Sequence, residues 1–239
     1  MNEYTRHKIY HLDAPSRLMR MIAARVPLGS AVLDVGCGTG CLGEFLRNSK
    51  RCYVVGVEIA PEAAAAARTR CDEVVQCDVA QMRDWDGGGR RFDRVIFSDV
   101  IEHLADPRAT LVWAAPLLTD TGRIVLAVPN IAHWSIRLSL LFGRFDYAES
   151  GILDDTHLRF FTARALRNLL SSSNLAIDEF RPVFDHYPLD RAAHRLRLRR
   201  LKRALFDWPL SRVFPNFYAY HFLATCGILS SVSRPEAPE

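Results

Sequence analysis

The stretch Val32-Leu-Asp-Val-Gly-Cys-Gly-Thr-Gly40 constrains this chain more than any other. An apolar run, Ala31–Val35, stops at Gly36, and glycines recur at alternate positions before a segment suited to a helix, Cys41–Arg47. Glycine reaches backbone angles closed to other residues and puts no Cβ between the chain and a ligand. The unpaired N–H groups at a helix start, with the positive end of its dipole, favour an anionic or polar group there. The segment therefore predicts a strand, a tight turn and a helix arranged around a ligand, with Thr39 as the helix cap. Its spacing, Gly36-x-Gly38-x-Gly40 after Asp34, departs from the GxGxxG pattern of dinucleotide sites.

The elements that follow keep an alternating rhythm. Arg51–Val57 reads as a second strand, and Pro61 stands at the first turn of an alanine-rich helix, where its missing N–H costs nothing. Glu73–Cys77, Phe92–Phe97 and Gly122–Val128 supply three further strands, with Leu111–Leu118 in a helix between the last two. Continuous Val/Ile/Leu runs alternating with helices predict a parallel sheet covered on both faces. After residue 130 the rhythm breaks. Asn130–Gly151 is aromatic, basic and partly helical, Thr162 caps a helix through Leu170, and Leu175–Phe180 and Phe217–Thr225 read as closing strands. The helix over Arg17–Arg25, preceded by Tyr4, Tyr10 and His11, is placed as a lid over the glycine turn.

Glu58 stands at the end of the second strand, 18 residues after Gly40. An acid there can accept both hydroxyls of an adenosine ribose, by the logic of doubly wound nucleotide sites. Composition sets few further limits. A 239-residue chain that is 49% hydrophobic and 24% charged is neither disordered nor fibrous. Its net charge of +4 belongs to one segment, since Arg191–Arg203 holds seven Lys/Arg and no acid, against 24 basic and 27 acidic residues elsewhere. The six cysteines form no CxxC pair, so a zinc site is not expected. Without an apolar leader or a run of spanning length, the expected location is cytoplasmic.

On these residues the chain resembles the class I S-adenosylmethionine-dependent methyltransferases. LDVGCGTG matches their first motif, QCDVA their adenine-binding segment, FDRVIFSDVIEHLADP their fourth motif and GRIVLAVPN their fifth strand. The resemblance implies a Rossmann-like, doubly wound seven-stranded sheet whose last strand is antiparallel, with a helical cap after strand five. Residues 1–130 would form the cofactor half and 131–239 the cap, acceptor site and closing strands. It also implies S-adenosylmethionine as cofactor, held by Asp34, Gly36, Cys37, Gly38, Thr39, Gly40, Glu58, Ile59, Asp78, Val79 and Ser98.

Methyl transfer to a hydroxyl needs a base, and histidine suits neutral pH. His103 follows the fourth strand, His133 lies in PNIAHW after the fifth, and His157 sits in LDDTHLRFFT; these three are the catalytic candidates. Asp99, Glu102 and His103 together also suggest a hard divalent ion such as Mg2+ that would orient a catechol-like acceptor. The ubiquinone-biosynthesis O-methyltransferases carry a similar acid-x-x-Glu-His arrangement, with Glu where this chain has Asp99. A metal-free site is the preferred reading.

PNxxHW, a cap helix and the DxTHLRFFT box resemble a narrower bacterial group associated with glycan and natural-product assembly, and more distantly the MetW-type proteins. Trp134, Phe142, Phe145 and Tyr147 are expected to form an aromatic wall, and Arg137, Arg144 and Arg159 to meet phosphate or carboxylate. The expected activity is O-methylation of a small molecule, sugar or glycan precursor. A non-catalytic partner of a biosynthetic enzyme is the first alternative and a nucleic-acid methyltransferase the second. Arg191–Arg203 is assigned to an exposed helix face, or to peripheral contact with a membrane or protein.

Overall fold

The computed structural model describes residues 15–184 and 213–229. Seven strands form one sheet: β1 (Ala31–Val35), β2 (Tyr53–Glu58), β3 (Glu73–Gln76), β4 (Phe92–Ser98), β5 (Leu118–Pro129), β6 (Leu175–Val183) and β7 (His221–Ile228). Their order is β3-β2-β1-β4-β5-β7-β6. β1 to β5 pair in parallel, and β7 enters antiparallel between β5 and β6. The helices are α1 (Arg17–Ala23), α2 (Cys41–Lys50), α3 (Pro61–Ala67), α4 (Pro107–Ala114), α5 (Trp134–Leu141), α6 (Ala163–Ser172) and the short α7 (Pro215–Tyr218).

The two faces of the sheet carry separate cores, as its near-continuous apolar strands require. Leu33, Val35, Phe97, Leu126 and Phe222 pack on one side with Leu111, Leu166 and Leu170 of α4 and α6. Val32, Val54, Ile96, Val125 and Leu223 face the other, against Ile22 of α1 and Leu46 of α2. The strand order switches between β1 and β4, with β2 and β3 added on one side and β5 on the other, so their carboxyl ends open a crevice, the usual ligand position of a doubly wound sheet.

Local details correct the sequence reading. Helix α4 starts at Pro107, with Asp106 accepting from the Ala109 N–H, and Leu118 already belongs to β5. Residues 217 and 218 fall in α7, so the last strand starts at His221. Thr39 does not cap α2. Gly40 is the N-cap at φ +80°, and the Thr39 hydroxyl accepts from Arg70 Nη1 at 3.1 Å. Tyr4, Tyr10, His11 and the basic segment Arg191–Arg203 lie outside the described residues.

Candidate functional site

The crevice between β1 and β4 widens into a cavity of about 480 Å³. Of the predicted cofactor residues, Asp34, Gly36, Cys37, Gly38, Thr39 and Ser98 line it, as do Ser16, Leu18 and Met19 at the start of α1. The glycine turn is held from below, where Gly36 and Cys37 donate their N–H groups to the Val57 carbonyl at 2.8 and 3.0 Å. Gly36 sits at φ +69°, and a Cβ there would fall 2.5 Å from Val100 Cγ2. Any other residue would clash with the Val100 side chain and be strained at that positive φ.

Glu58 is buried and binds the turn directly: Oε2 accepts from Gly38 N at 2.9 Å and Oε1 from Ala60 N at 2.9 Å. It thus couples β2 to the glycine turn as well as standing where a ribose acid is expected. Asp78 caps a short 3-10 turn over Val79–Gln81, accepting from Ala80 N at 2.9 Å. Ile59 is half exposed and Val79 half-buried, and these residues continue the carboxyl edge beyond the cavity.

Asp34 differs from the rest of the turn. Its side chain is 2% exposed, lines the cavity and has an oxygen with no hydrogen-bond partner. Burial, with the nearby Glu58 charge adding to it, pushes its pKa up to about 7. Such a carboxyl calls for a cation from a ligand, because an unpaired buried charge is costly. Cys37 is the opposite case: contact with Cys71 and burial raise its thiol pKa, so it packs as an apolar residue.

The far end of the cavity is built from loops distant in sequence. Glu102 and His103 follow β4 in a single 3-10 turn, and the 151–161 loop lies across them. Leu158 and Arg159 both donate their N–H groups to the Glu102 carbonyl at 2.9 Å. His103 Nδ1 lies 3.2 Å from the Thr156 carbonyl and 3.1 Å from its hydroxyl, which itself donates to Asp154 Oδ1. A carbonyl can only accept, so this contact puts the proton on Nδ1 and leaves Nε2 as the basic nitrogen. His157 Nδ1 is fixed likewise by the Ile152 carbonyl at 3.1 Å, and its ring meets that of His103 edge-on at 4.7 Å.

Glu102, His103 and His157 are thereby brought together, with His157 Nε2 3.9 Å from Glu102 Oε1. Asp99 is not in this cluster, which corrects the triad expected from the sequence. It pairs instead with His221, whose Nε2 is 3.1 Å from Asp99 Oδ1. Two imidazoles and one carboxylate do not fit Mg2+, which prefers oxygen ligands.

His133 is buried and caps α5, its Nδ1 2.8 Å from Ser135 Oγ, and it does not line the cavity. Residues 141–150 are exposed, so Phe142, Phe145 and Tyr147 form an outer surface and Ser150 alone of this stretch reaches the cavity. The half-buried Trp134 packs against His133. Arg137 and Arg159 donate to the Ala132 and Ala105 carbonyls at 2.6 Å, and neither they nor Arg144 line the cavity. Sequence reasoning missed Tyr220 and His221, which do line it. Their signal was a histidine opening an antiparallel strand, which starts where its parallel neighbour ends.

A methyltransferase-domain family model matches residues 22–179. The chain belongs to the methyltransferase-domain family. It is 34% identical over 127 residues to the ubiquinone biosynthesis O-methyltransferase of Xanthomonas axonopodis pv. citri, covering 52% of this chain and 53% of that protein. The corresponding protein of Cereibacter sphaeroides is 33% identical over 115 residues, 46% of each chain. The match thus spans about half the length of these curated relatives. Among solved structures, magnesium protoporphyrin IX methyltransferase from Synechocystis PCC 6803, with bound SAH, superposes with a TM-score of 0.58 at 17% identity, covering 88% of this chain and 81% of that one. A Haloferax volcanii putative methyltransferase, in complex with the activator Trm112, gives 0.60 at 20% identity over 87% and 88% of the two chains. These likenesses show a shared methyltransferase fold. Among the described residues of this family member, no helix is long and apolar enough to cross a membrane.

Proposed function

We propose that this chain is an S-adenosylmethionine-dependent O-methyltransferase acting on a hydroxyl of a small molecule or saccharide in the cytoplasm. The observation that carries the reading is Asp34, a buried carboxyl with an unpartnered oxygen, on a glycine turn that opens into the cavity. The family match and the ubiquinone O-methyltransferase relatives support it from the sequence side. Asp34 would hold the α-ammonium of the cofactor, the 36–40 turn its methionine end, and Glu58 its ribose. Ile59, Asp78 and Val79 would border the adenine.

Bound S-adenosylmethionine supplies a methyl carbon already activated by its sulfonium. The protein then has to align an acceptor, exclude water and take a proton. His103 is the assigned base, because it lines the cavity and its Nδ1 contact with Thr156 leaves Nε2 basic. His157 orients that ring, and the Asp154–Thr156 turn holds both. His133 is assigned to α5. Residues 1–130 would supply most of the cofactor contacts, while Asp154, His157 and Tyr220 of the later half would join His103 on the acceptor side. No Lys or Arg is among the described lining residues, so an uncharged acceptor is favoured over a phosphorylated one.

The test is transfer of labelled methyl to a panel of catechols and methyl glycosides, with and without EDTA. Transfer should survive chelation. His103→Gln should lower kcat by about 10²–10⁴-fold while leaving cofactor affinity unchanged. Absence of cofactor binding, or full activity in His103→Gln, would sink the corresponding assignment.

A further inference from the structure

We infer that Asp99, held by His221, makes the cavity distinguish the positively charged cofactor from its neutral product, so that S-adenosylmethionine binds more tightly than S-adenosylhomocysteine. This rests on the cofactor reading above and adds to it a role for a pair that the methyl-transfer chemistry does not use.

Four carboxylates line the cavity, those of Asp34, Asp99, Glu102 and Asp154, and no Lys or Arg does so among the described residues. Asp34 supplies the independent sign of a cationic ligand, being 2% exposed with an oxygen that has no partner. Asp99 stands across the switch point from it: Asp34 pairs in register with Ile96 of β4, and Asp99 follows three residues later. The backbone there is unusual, with Asp99 at φ +55° and its N–H donated to the Ala127 carbonyl at 3.1 Å. That conformation turns the side chain toward the start of β7, where His221 Nε2 lies 3.1 Å from Oδ1.

His221 stands beside the carboxylate and limits where it can turn. With four carboxylates and no Lys or Arg among the described lining residues, the wall favours a cation over a neutral ligand. Methyl transfer turns a sulfonium into a thioether, so the ligand loses one positive charge beside this wall. At the effective dielectric of a part-exposed site, removing that attraction weakens binding by roughly five- to fiftyfold. The product would therefore leave readily, and product inhibition would be weak.

Calorimetry at pH 8 on the full chain, with S-adenosylmethionine, S-adenosylhomocysteine and sinefungin, tests this. Sinefungin carries an ammonium in place of the methylsulfonium and so reports charge separately from the methyl group. Both cations should bind at least about fivefold more tightly than the thioether. In Asp99→Asn, which keeps the shape and tolerates the left-handed backbone, the three affinities should come within about twofold, with the thioether unchanged. His221→Gln, which keeps a polar group beside Asp99, should retain the preference, and His221→Phe should weaken it. Equal affinities in the wild type, sinefungin behaving like the thioether, or Asp99→Asn weakening all three alike would each overturn the inference. Failure of all three ligands to bind would remove the cofactor reading and this one together.

Discussion

Asp34 shows most plainly how a single residue can trade stability for binding. Its pKa is near 7 in the folded protein against an ordinary 3.8, raised by burial and then by Glu58. The folded state therefore holds this proton more tightly than the unfolded chain. Below about pH 4 both states are protonated and the residue costs nothing. As pH rises from 4 to 7 only the unfolded chain ionises, and the folded state loses stability, on the order of 2–4 kcal/mol by pH 7–8. Asp34→Asn removes that loss. The variant should unfold at a higher urea concentration than the wild type at pH 8, with the two converging near pH 4. It should also lose S-adenosylmethionine binding, because the ammonium then meets no charge. In the wild type, affinity for the cofactor should fall from pH 8 to pH 6 as Asp34 takes up its proton. An Asp34→Asn protein less stable than wild type at pH 8 would show that the carboxylate has a partner inside the fold.

Among the elements, β1 to β5 were legible because each is a short apolar run closed by its own glycine, proline or polar residue. The glycine turn and the acid ending β2 were legible for the same reason, since neighbours in sequence build them. The acceptor end was not. His103 and His157 are 54 positions apart in the chain and meet only because the Glu102 carbonyl accepts two N–H groups from the 151–161 loop. His221 reaches the site because β7 runs antiparallel, with His221 paired to Pro129 at the carboxyl edge of β5. No local pattern records that pairing. Arg137, Arg159 and His133 looked like ligand-binding groups in the sequence, yet they bind backbone carbonyls or cap a helix. Asn130 joins the two halves. Buried at the end of β5, it donates to the Asn216 and Ala219 carbonyls at 2.9 and 2.8 Å and accepts from Ala132 N at 2.9 Å. Asn130→Ala should cost about 2–4 kcal/mol in urea unfolding with an unchanged m-value. Asn130→Asp should cost more, because a carboxylate would face two carbonyl oxygens. A loss under 0.5 kcal/mol for Asn130→Ala would mean that water replaces these bonds.

At the scale of the whole molecule, the cavity is walled by both halves of the chain, from Ser16 near the amino end to His221 on the closing strand. A ligand that binds only this assembled state must stabilise all of it. At a hundred times its dissociation constant, S-adenosylmethionine adds about 2.7 kcal/mol. For a domain of this size each kcal/mol moves the melting temperature by about 2–4 °C, so an upward shift of about 5–11 °C is expected. Variants should divide by where they act. His103→Gln should keep the full shift, since its task is proton transfer. Asn130→Ala should melt lower yet move by a similar amount once cofactor is added in the same excess. Asp34→Asn should begin higher at pH 8 and hardly move. That last pattern, a more stable protein deaf to its ligand, separates a cofactor carboxylate from a merely structural one in a single series of melting curves. If His103→Gln lost the shift as completely as Asp34→Asn, the histidine would belong to the cofactor half of the site, and the assignment of the proton acceptor would pass to another residue.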